Sequence, residues 1–199
     1  MRPQVWIVAG PNGSGKTTFT RRHLAGRLPV VNPDEIAREI EPSRPEAPDV
    51  ALRAGRAAIA RRRQFLAAKE NFAIETTFSG NSELAFMREA KASGYKVNLF
   101  FVATVSPLVS AGRVAGRVED GGHFVASRDI ERRYYRSLEN LAEGVALADR
   151  AWLIDNSSRR PRLVATLEQG REKASSINLP RWVQAAKIPA LEHGMGMGY

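Results

Sequence analysis

The chain has 199 residues, of which 43% are hydrophobic and 26% charged, a composition that predicts one globular domain with a sizeable core. The absence of cysteine excludes disulfides and thiolate metal sites and favours a cytoplasmic location, and no apolar run is long enough for a membrane span. The net charge of +9 is compatible with nucleic-acid binding or with binding of nucleotide phosphates, and we favour the second because the basic residues are spread along the chain.

The first predicted strand leads into a glycine-rich motif. Residues 4–9 are apolar, residues 18–25 are predicted to be helical, and the segment between them matches G-x-x-x-x-G-K-S/T at every fixed position. The glycines let phosphate oxygens approach the main chain, whose N–H groups form an anion site at a helix N-terminus. Lys16 is expected to reach the β- and γ-phosphates of ATP or GTP, and Thr17 to ligate Mg²⁺. The predicted nucleotide-binding residues of this segment are Gly10, Pro11, Asn12, Gly13, Ser14, Gly15, Lys16, Thr17 and Thr18.

Asp34 follows closely after the second predicted strand, residues 29–31. In an open parallel sheet, ligands bind beyond the carboxyl ends of the strands, so this carboxylate is expected to face the phosphates. We predict that Asp34 accepts or orients the proton of an acceptor hydroxyl. The alternative is an N-cap for the helix that begins near Glu35, and the two roles are compatible.

The segment before the third strand is predicted to form one amphipathic helix over residues 49–70. Leu52, Ile59 and Leu66 recur at a spacing of seven, with Ala58 and Phe65 beside them. This pattern predicts that the three larger side chains share the apolar face.

Glu75 lies inside the third predicted strand, residues 73–77. An acidic residue in an apolar strand is costly unless it has a partner. We therefore predict that Glu75 faces the nucleotide and contacts substrate or a water of Mg²⁺, with Thr76 and Thr77 supplying neutral hydrogen bonds. The alternative is a structural ion pair between Glu75 and an arginine.

Arginines dominate the segment after the fourth predicted strand, residues 97–103. Arg113 and Arg117 are four residues apart on one helix face, and Arg132, Arg133 and Arg136 follow on a helix predicted over residues 127–147. Arginines of this kind can stabilise the charge that develops on a transferred phosphoryl group. The alternative for each arginine is a solvated helix face.

Gly121-Gly122 is the predicted hinge between these two helices. Two arginine-bearing helices joined by a flexible break are typical of a lid, which we place at about residues 106–137. His123, next to the hinge, is expected to make a polar contact with substrate.

The fifth predicted strand, residues 152–155, leads into Asn156. Its amide either contacts the nucleotide base or forms a turn. Residues 163–168 and 171–175 are predicted to form a small β-hairpin, and residues 178–199 a surface tail.

Strands that alternate with helices predict an α/β fold built from parallel βαβ units. We predict a P-loop NTPase/kinase fold with a five-stranded parallel sheet in the order 2-3-1-4-5, helices on both faces and an arginine-bearing helical lid. The kinase domain is expected to span residues 1–177.

The series of motifs resembles the small chromosomal branch of the zeta toxin family, whose members are P-loop kinases. The resemblance covers about residues 4–158, in the family's motif order. Besides the glycine-rich loop it rests on residues 32–37, 75–80, 113–118, 121–123, 132–138 and 155–157.

The resemblance implies ATP-dependent phosphorylation of a hydroxyl on a UDP-activated amino sugar, and it admits an antitoxin protein as a partner. Family members commonly carry Asp-x-Asp at the second strand, where Asn32 replaces the first aspartate here. The resemblance implies that Asp34 is the catalytic aspartate, Lys16 the nucleotide lysine and Arg117 a lid arginine, and that Glu75 and Thr76 help to hold the acceptor. In all, we predict the catalytic residues Asp34, Lys16, Arg117 and Arg133. The predicted substrate-binding residues are Asn32, Glu75, Thr76, Thr77, Arg113 and His123.

Two other functions remain open on the sequence. A 5′-hydroxyl polynucleotide kinase would use the same loop, an aspartate base and a basic surface. An NTP-binding switch would bind nucleotide without phosphorylating an acceptor.

Overall fold

Seven strands form one sheet in the described part of this computed structural model, which comprises residues 2–119 and 126–192, with only the backbone described for residues 117–119. The strands are β1 (Gln4–Ala9), β2 (Val30–Val31), β3 (Phe72–Thr76), β4 (Lys96–Ala103), β5 (Arg150–Asp155), β6 (Arg162–Glu168) and β7 (Arg171–Ser175). The helices are α1 (Lys16–His23), α2 (Pro33–Ile40), α3 (Pro48–Ala68), α4 (Asn81–Ala92), α5 (Pro107–Glu119), α6 (Ser127–Glu139), α7 (Leu141–Leu147), α8 (Arg181–Ala185) and α9 (Pro189–Glu192).

The first five strands are parallel, and the last two are antiparallel to their neighbours. The spatial order is β2-β3-β1-β4-β5-β6-β7, so the predicted order of the five parallel strands is confirmed. The prediction of a sheet with only five strands is wrong, because the hairpin of β6 and β7 joins it at β5. This pairing covers the backbone N–H and C=O groups that β5 would otherwise leave at an open edge.

β1 is the central parallel strand, and both of its faces lie against apolar side chains. Ile7 pairs with Ile74 of β3 on one side and with Leu99 of β4 on the other. The odd-numbered residues of β1 face the larger core, while Trp6 and Val8 face a smaller one. The carboxyl ends of β1, β2 and β3 lie at the same edge, so the loops that follow them meet there.

Helices cover both faces of the sheet, as predicted, but to different extents. Helices α3, α4, α6 and α7 contribute to the larger core, whereas α1 contacts β1 and β3 on the other face. Beside α1, a groove of about 930 Å³ lies over the sheet. Its floor is a row of aromatic rings, in which the centroids of Trp6 and Phe100 are 5.5 Å apart and those of Phe100 and Trp152 4.7 Å apart.

The predicted apolar face of α3 is confirmed at Ala58 and Leu66, which are buried, and wrong at Leu52 and Ile59. Leu52 and Ile59 are 57% and 48% exposed, and they line a second groove, of about 540 Å³, between α3 and α4. The buried side chains recur at every fourth position instead, as Val50, Ala54, Ala58, Arg62 and Leu66. Small alanines at these positions let α3 pack closely on α2 and β2, which large side chains would prevent.

The helix predicted over residues 127–147 is two helices, α6 and α7. The break lies at Asn140, whose Nδ2 donates to the carbonyl oxygens of Phe78 at 3.0 Å and Gly80 at 3.2 Å. The partners are about 60 residues away in the chain, so no local pattern contained this contact.

Residues 178–192 are not the surface tail that the sequence predicts. α8, α9 and the short segment between them bury Trp182, Val183, Ile188 and Leu191 in the larger core. Trp182 Nε1 also donates to Asp155 Oδ1 at 3.4 Å, at the end of β5. The prediction relied on position in the chain and overlooked these apolar residues. Residues 193–199 lie outside the described residues, and no described helix is long and apolar enough to span a membrane.

Candidate active site

The glycine-rich loop connects β1 to α1 and has the backbone geometry that only glycine adopts easily. Gly10 and Gly13 have φ angles of +139° and +73°. A Cβ atom at Gly10 would lie 2.0 Å from the carbonyl oxygen of Val102, and one at Gly13 would lie 2.3 Å from that of Ser110. The loop therefore packs against β4 and α5 with no room for side chains, which leaves its N–H groups to bind anions.

Lys16 is the first residue of α1 and is largely buried. Its Nζ donates to the carbonyl oxygen of Pro11 at 2.9 Å, so the ammonium group lies over the loop. The structure thus places a cation where the sequence predicted a contact to phosphates.

Thr17 and Glu75 meet at the end of β3. The Thr17 hydroxyl donates to Glu75 Oε1 at 2.6 Å, and Glu75 is only 6% exposed. The second carboxylate oxygen, Oε2, is buried without a hydrogen-bond partner among the described residues. Glu75 forms no ion pair with an arginine in the described ranges, so the structural alternative is not realised.

Burial raises the pKa of Glu75 above its ordinary value. The positive charge of Lys16, the hydrogen bond from Thr17 and the nearby Thr20 hydroxyl lower the pKa, while the charge of Asp34 raises it further. An additional cation beside Oε2 would favour the ionised form. A bound metal ion would therefore stabilise the ionised Glu75 carboxylate.

These residues fit a magnesium ion that binds together with phosphate. The Thr17 hydroxyl and the unpartnered Glu75 Oε2 are oxygen donors of the kind that Mg²⁺ prefers. No group of three or more His, Cys, Asp or Glu among the described residues could hold a metal alone. A Mg²⁺ site here would need ligands from the nucleotide, as is usual for phosphate-bound Mg²⁺.

Asp34 lies in the first turn of α2, and the N-cap of that helix is Asn32. Asn32 Oδ1 accepts from the backbone N–H of Asp34 at 2.9 Å, so the alternative role of Asp34 as the N-cap is wrong. The carboxylate of Asp34 is exposed and accepts no hydrogen bond from the described residues. It is therefore available to a ligand, whereas the amide oxygen of Asn32 is occupied.

A single cavity of about 350 Å³ brings most of the predicted site residues together. It lies at the sheet edge where the loops after β1, β2 and β3 meet. Its lining includes Asn12, Gly13, Gly15, Lys16, Thr17, Thr18, Asn32, Asp34, Glu75, Thr76, Thr77 and Arg133.

The loop after β3 is held in a strained conformation at the wall of this cavity. Phe78 is buried with φ of +59°, which is unusual for a bulky residue and costs about 1–3 kcal/mol. Its N–H donates to Thr76 Oγ1 at 3.1 Å, and its carbonyl accepts from Asn140. The Thr76 hydroxyl therefore supports the loop, and Asn140 is a positioning residue that the sequence analysis missed.

The predicted lid is only partly described. Arg133 is half-buried and lines the cavity, whereas Arg113 does not. The side chain of Arg117, the Gly121-Gly122 hinge and His123 lie outside the described part of the structure. The three other arginines of α6 are exposed, namely Arg128, Arg132 and Arg136, and Arg132 pairs with Asp129 at 2.8 Å.

Asn156, which follows β5, holds the glycine-rich loop by a hydrogen bond. Its Nδ2 donates to the carbonyl oxygen of Ser14 at 2.8 Å, and a Cβ atom at Gly15 would lie 2.3 Å from this nitrogen. Asn156 also lines the aromatic groove beside α1, together with Gly15 and Thr18. Contact with a nucleotide base in that groove remains a prediction.

Replacement of Glu75 by glutamine is expected to lower nucleotide turnover without lowering the stability of the fold at neutral pH. The folded state holds the Glu75 proton more tightly than the unfolded chain, so its contribution to stability falls as pH rises from the ordinary glutamate pKa through the raised one. We expect Glu75→Gln to unfold at the same or a higher temperature above this window. Mg²⁺-dependent nucleotide turnover should fall about 10- to 100-fold. Melting curves between about pH 5 and pH 8 and turnover assays test this.

Exposed Glu70→Gln is the control and should change neither property. A lower unfolding temperature of Glu75→Gln at neutral pH, with normal turnover, would instead assign Glu75 a structural role.

Residues 5–141 match the family model described as AAA domain. An uncharacterized protein of Haemophilus influenzae is 32% identical over 141 residues, which covers 67% of this chain and 99% of that protein.

Solved structures share the fold. A chain from the PezAT chromosomal toxin-antitoxin system of Streptococcus pneumoniae has a TM-score of 0.68 at 18% identity, over 92% of this chain and 77% of that chain. A chain from the crystal structure of AvrRxo1-ORF1:-ORF2 with ATP has a TM-score of 0.73 at 15% identity, over 94% of this chain. The present chain spans only 64% of that AvrRxo1 chain. A chain of the Pnkp1/Rnl/Hen1 RNA repair complex has a TM-score of 0.55 at 24% identity, over 68% of this chain and 44% of that chain.

Proposed function

Because the chain belongs to the family described as AAA domain and has a P-loop kinase-like fold, we propose that it is an ATP-dependent kinase acting on a hydroxyl of a small molecule. One observation carries the proposal. The exposed carboxylate of Asp34 lies in the same cavity as Lys16 and Thr17 and accepts no hydrogen bond from the described residues. A nucleotide switch needs the phosphate loop, whereas an unoccupied base beside it is what phosphoryl transfer to a hydroxyl requires.

In the proposed reaction, the loop N–H groups and Lys16 hold the β- and γ-phosphates of ATP. Asp34 accepts the proton of the acceptor hydroxyl while the hydroxyl oxygen forms a bond to the γ-phosphorus. The bond between that phosphorus and the β–γ bridging oxygen breaks, and ADP leaves with the bridging oxygen. Mg²⁺, held by Thr17 and near Glu75, would neutralise the negative charge of the phosphates.

We propose a UDP-activated amino sugar as the acceptor, with Thr77 and Glu75 on its side of the cavity. The support is the resemblance of the motifs to the zeta toxin family and the shared fold with a chain of the PezAT toxin-antitoxin system. The same support makes an antitoxin-like protein the proposed partner.

An acceptor screen with γ-labelled ATP tests the proposal. UDP-sugars, nucleosides and 5′-hydroxyl RNA are offered separately, each with wild-type protein and with the Asp34→Asn variant. Label in a UDP-sugar supports the proposal when the variant does not transfer it. Label in RNA identifies a polynucleotide kinase, and label released only as inorganic phosphate identifies a nucleotide switch.

Arg133 is the described lid arginine that reaches the cavity, and its replacement should slow transfer. Arg133→Ala is expected to lower the transfer rate about 10²-fold, because charge on the transferred group loses a fixed cation. We expect Arg117→Ala to act in the same direction. Single-turnover transfer and melting temperature are the measurements.

Arg132→Ala is the matched control, since Arg132 is on the same helix, exposed and paired with Asp129. It should transfer at the wild-type rate. If Arg133→Ala and Arg132→Ala behave alike, Arg133 belongs to a solvated helix face and the lid interpretation fails.

A further inference from the structure

Helix α3 carries one arginine that is turned into the protein. Its sequence contains five arginines, and four of them are exposed: Arg53, Arg56, Arg61 and Arg63. Arg62 is only 8% exposed and takes a position in the buried stripe at every fourth residue. This position is visible in the sequence, because an arginine interrupts valine, alanine and leucine at every fourth residue.

The Nε of Arg62 is buried without a hydrogen-bond partner among the described residues, none of which forms an ion pair with the guanidinium. Glu83 is the nearby acid, but its Oε2 accepts from the Ser82 hydroxyl instead. Two interactions favour the charged form: the negative charge of Glu83 and the ring of Phe86, whose centroid is 5.5 Å from Arg62 Cζ. A buried cation without a hydrogen-bonded anion is costly, so this arrangement indicates a missing anionic ligand.

Arg62 lies where two cavities meet. It lines the active-site cavity that contains Asp34 and Glu75, and it also lines the groove between α3 and α4. That groove is bordered by Leu52 and Ile59, the two large apolar residues that α3 leaves exposed. An acceptor whose hydroxyl reaches Asp34 would therefore extend past Arg62 towards an apolar surface.

We propose that Arg62 binds a phosphate or diphosphate of the acceptor, and that the groove between α3 and α4 takes the apolar moiety beyond it. The inference rests on the proposed kinase function. A guanidinium presents a planar fork of donors that matches two phosphate oxygens, and it stays charged when buried. The acceptor class is thus a hydroxyl compound in which an anionic group lies between the reacting hydroxyl and an apolar part.

Binding of UDP to the nucleotide-loaded protein tests this assignment. The glycine-rich loop is first saturated with Mg²⁺ and a non-hydrolysable ATP analogue, so that UDP can only use the acceptor side. Calorimetric titration of the full chain then compares UDP with uridine, which lacks the phosphates. Wild-type protein should bind UDP more tightly than uridine. Arg62→Met should lose about 10- to 100-fold in UDP affinity with no change for uridine.

Arg53→Met is the matched control, because it removes an exposed arginine from the same helix and should bind UDP like the wild type. The unfolding temperature of unliganded Arg62→Met should equal or exceed that of the wild type, since the substitution removes an unpaired buried cation.

Equal UDP affinity in the wild type and Arg62→Met overturns the proposal, as does a wild type that binds UDP no better than uridine. A lower unfolding temperature of Arg62→Met with intact UDP binding would make Arg62 a structural cation. The kinase function has a separate readout in labelled transfer. Normal transfer by Arg62→Met would support the kinase function and contradict the Arg62 subsite. UDP binding that depends on Arg62, without transfer to any acceptor, would support the subsite and contradict the kinase function.

Discussion

Lys16→Ala is expected to lower nucleotide turnover by about 10²–10³-fold or more while the protein still folds. The ammonium group lies over the glycine-rich loop, at 2.9 Å from the Pro11 carbonyl oxygen, where we expect the phosphates of a nucleotide to bind. Charge grows on the phosphate oxygens in the transition state, so the loss of this cation should affect the rate more than the affinity. ATP hydrolysis and transfer give the rate, and calorimetric titration with a non-hydrolysable analogue gives the affinity.

Lys69→Ala provides the control for Lys16→Ala, because Lys69 is exposed at the end of α3 and donates to the Ser93 carbonyl. Its turnover should be that of the wild type. Normal turnover in Lys16→Ala would refute the assignment of the loop as a nucleotide site.

Asp34→Asn is expected to lower phosphoryl transfer by about 10²–10⁴-fold and to leave ATP binding and folding unchanged. The amide has nearly the shape of the carboxylate but cannot accept the proton. Stability should be preserved because the helix cap is Asn32, which accepts from the backbone N–H of residue 34 whatever its side chain. Transfer to the acceptor found in the screen, ATP binding and melting temperature are measured together.

Glu35→Gln is the adjacent control, since Glu35 pairs with Arg21 at 3.8 Å on the surface. The loss of transfer rate in Glu35→Gln should be at least tenfold smaller than the loss in Asp34→Asn, because a surface ion pair contributes little. Wild-type transfer in Asp34→Asn, with only a shifted melting temperature, would leave Asp34 without a catalytic role.

Features encoded in short segments of the chain could be predicted from sequence. The glycine-rich loop, the strand before it and the order of the five parallel strands follow from local pattern and from the rules for βαβ connections. The meeting of Asp34, Glu75 and Lys16 at one cavity follows in turn from the shared carboxyl ends of the strands.

Features that depend on contacts distant in the chain could not be predicted in this way. Asn140 looked like an ordinary helix residue until its two carbonyl partners after β3 were known. The face of α3 was misjudged because packing against α2 and β2 favours small side chains there, over the larger Leu52 and Ile59. Arg62 was overlooked as well, although it lies between Ala58 and Leu66 on the buried face.

The central position of β1 has a consequence for the order in which the protein folds. Val5 pairs with Phe72 and with Val97, so β1 is synthesised well before both of the strands with which it pairs. Gly10 moreover packs on the Val102 carbonyl oxygen at the end of β4. In a ribosome-bound chain that ends before β4, the glycine-rich loop therefore lacks the strand on which it packs. The apolar strand β1 is then unpaired on that side. Because folding depends on these distant contacts, we expect it to be slow and β1 to be accessible to chaperones during synthesis.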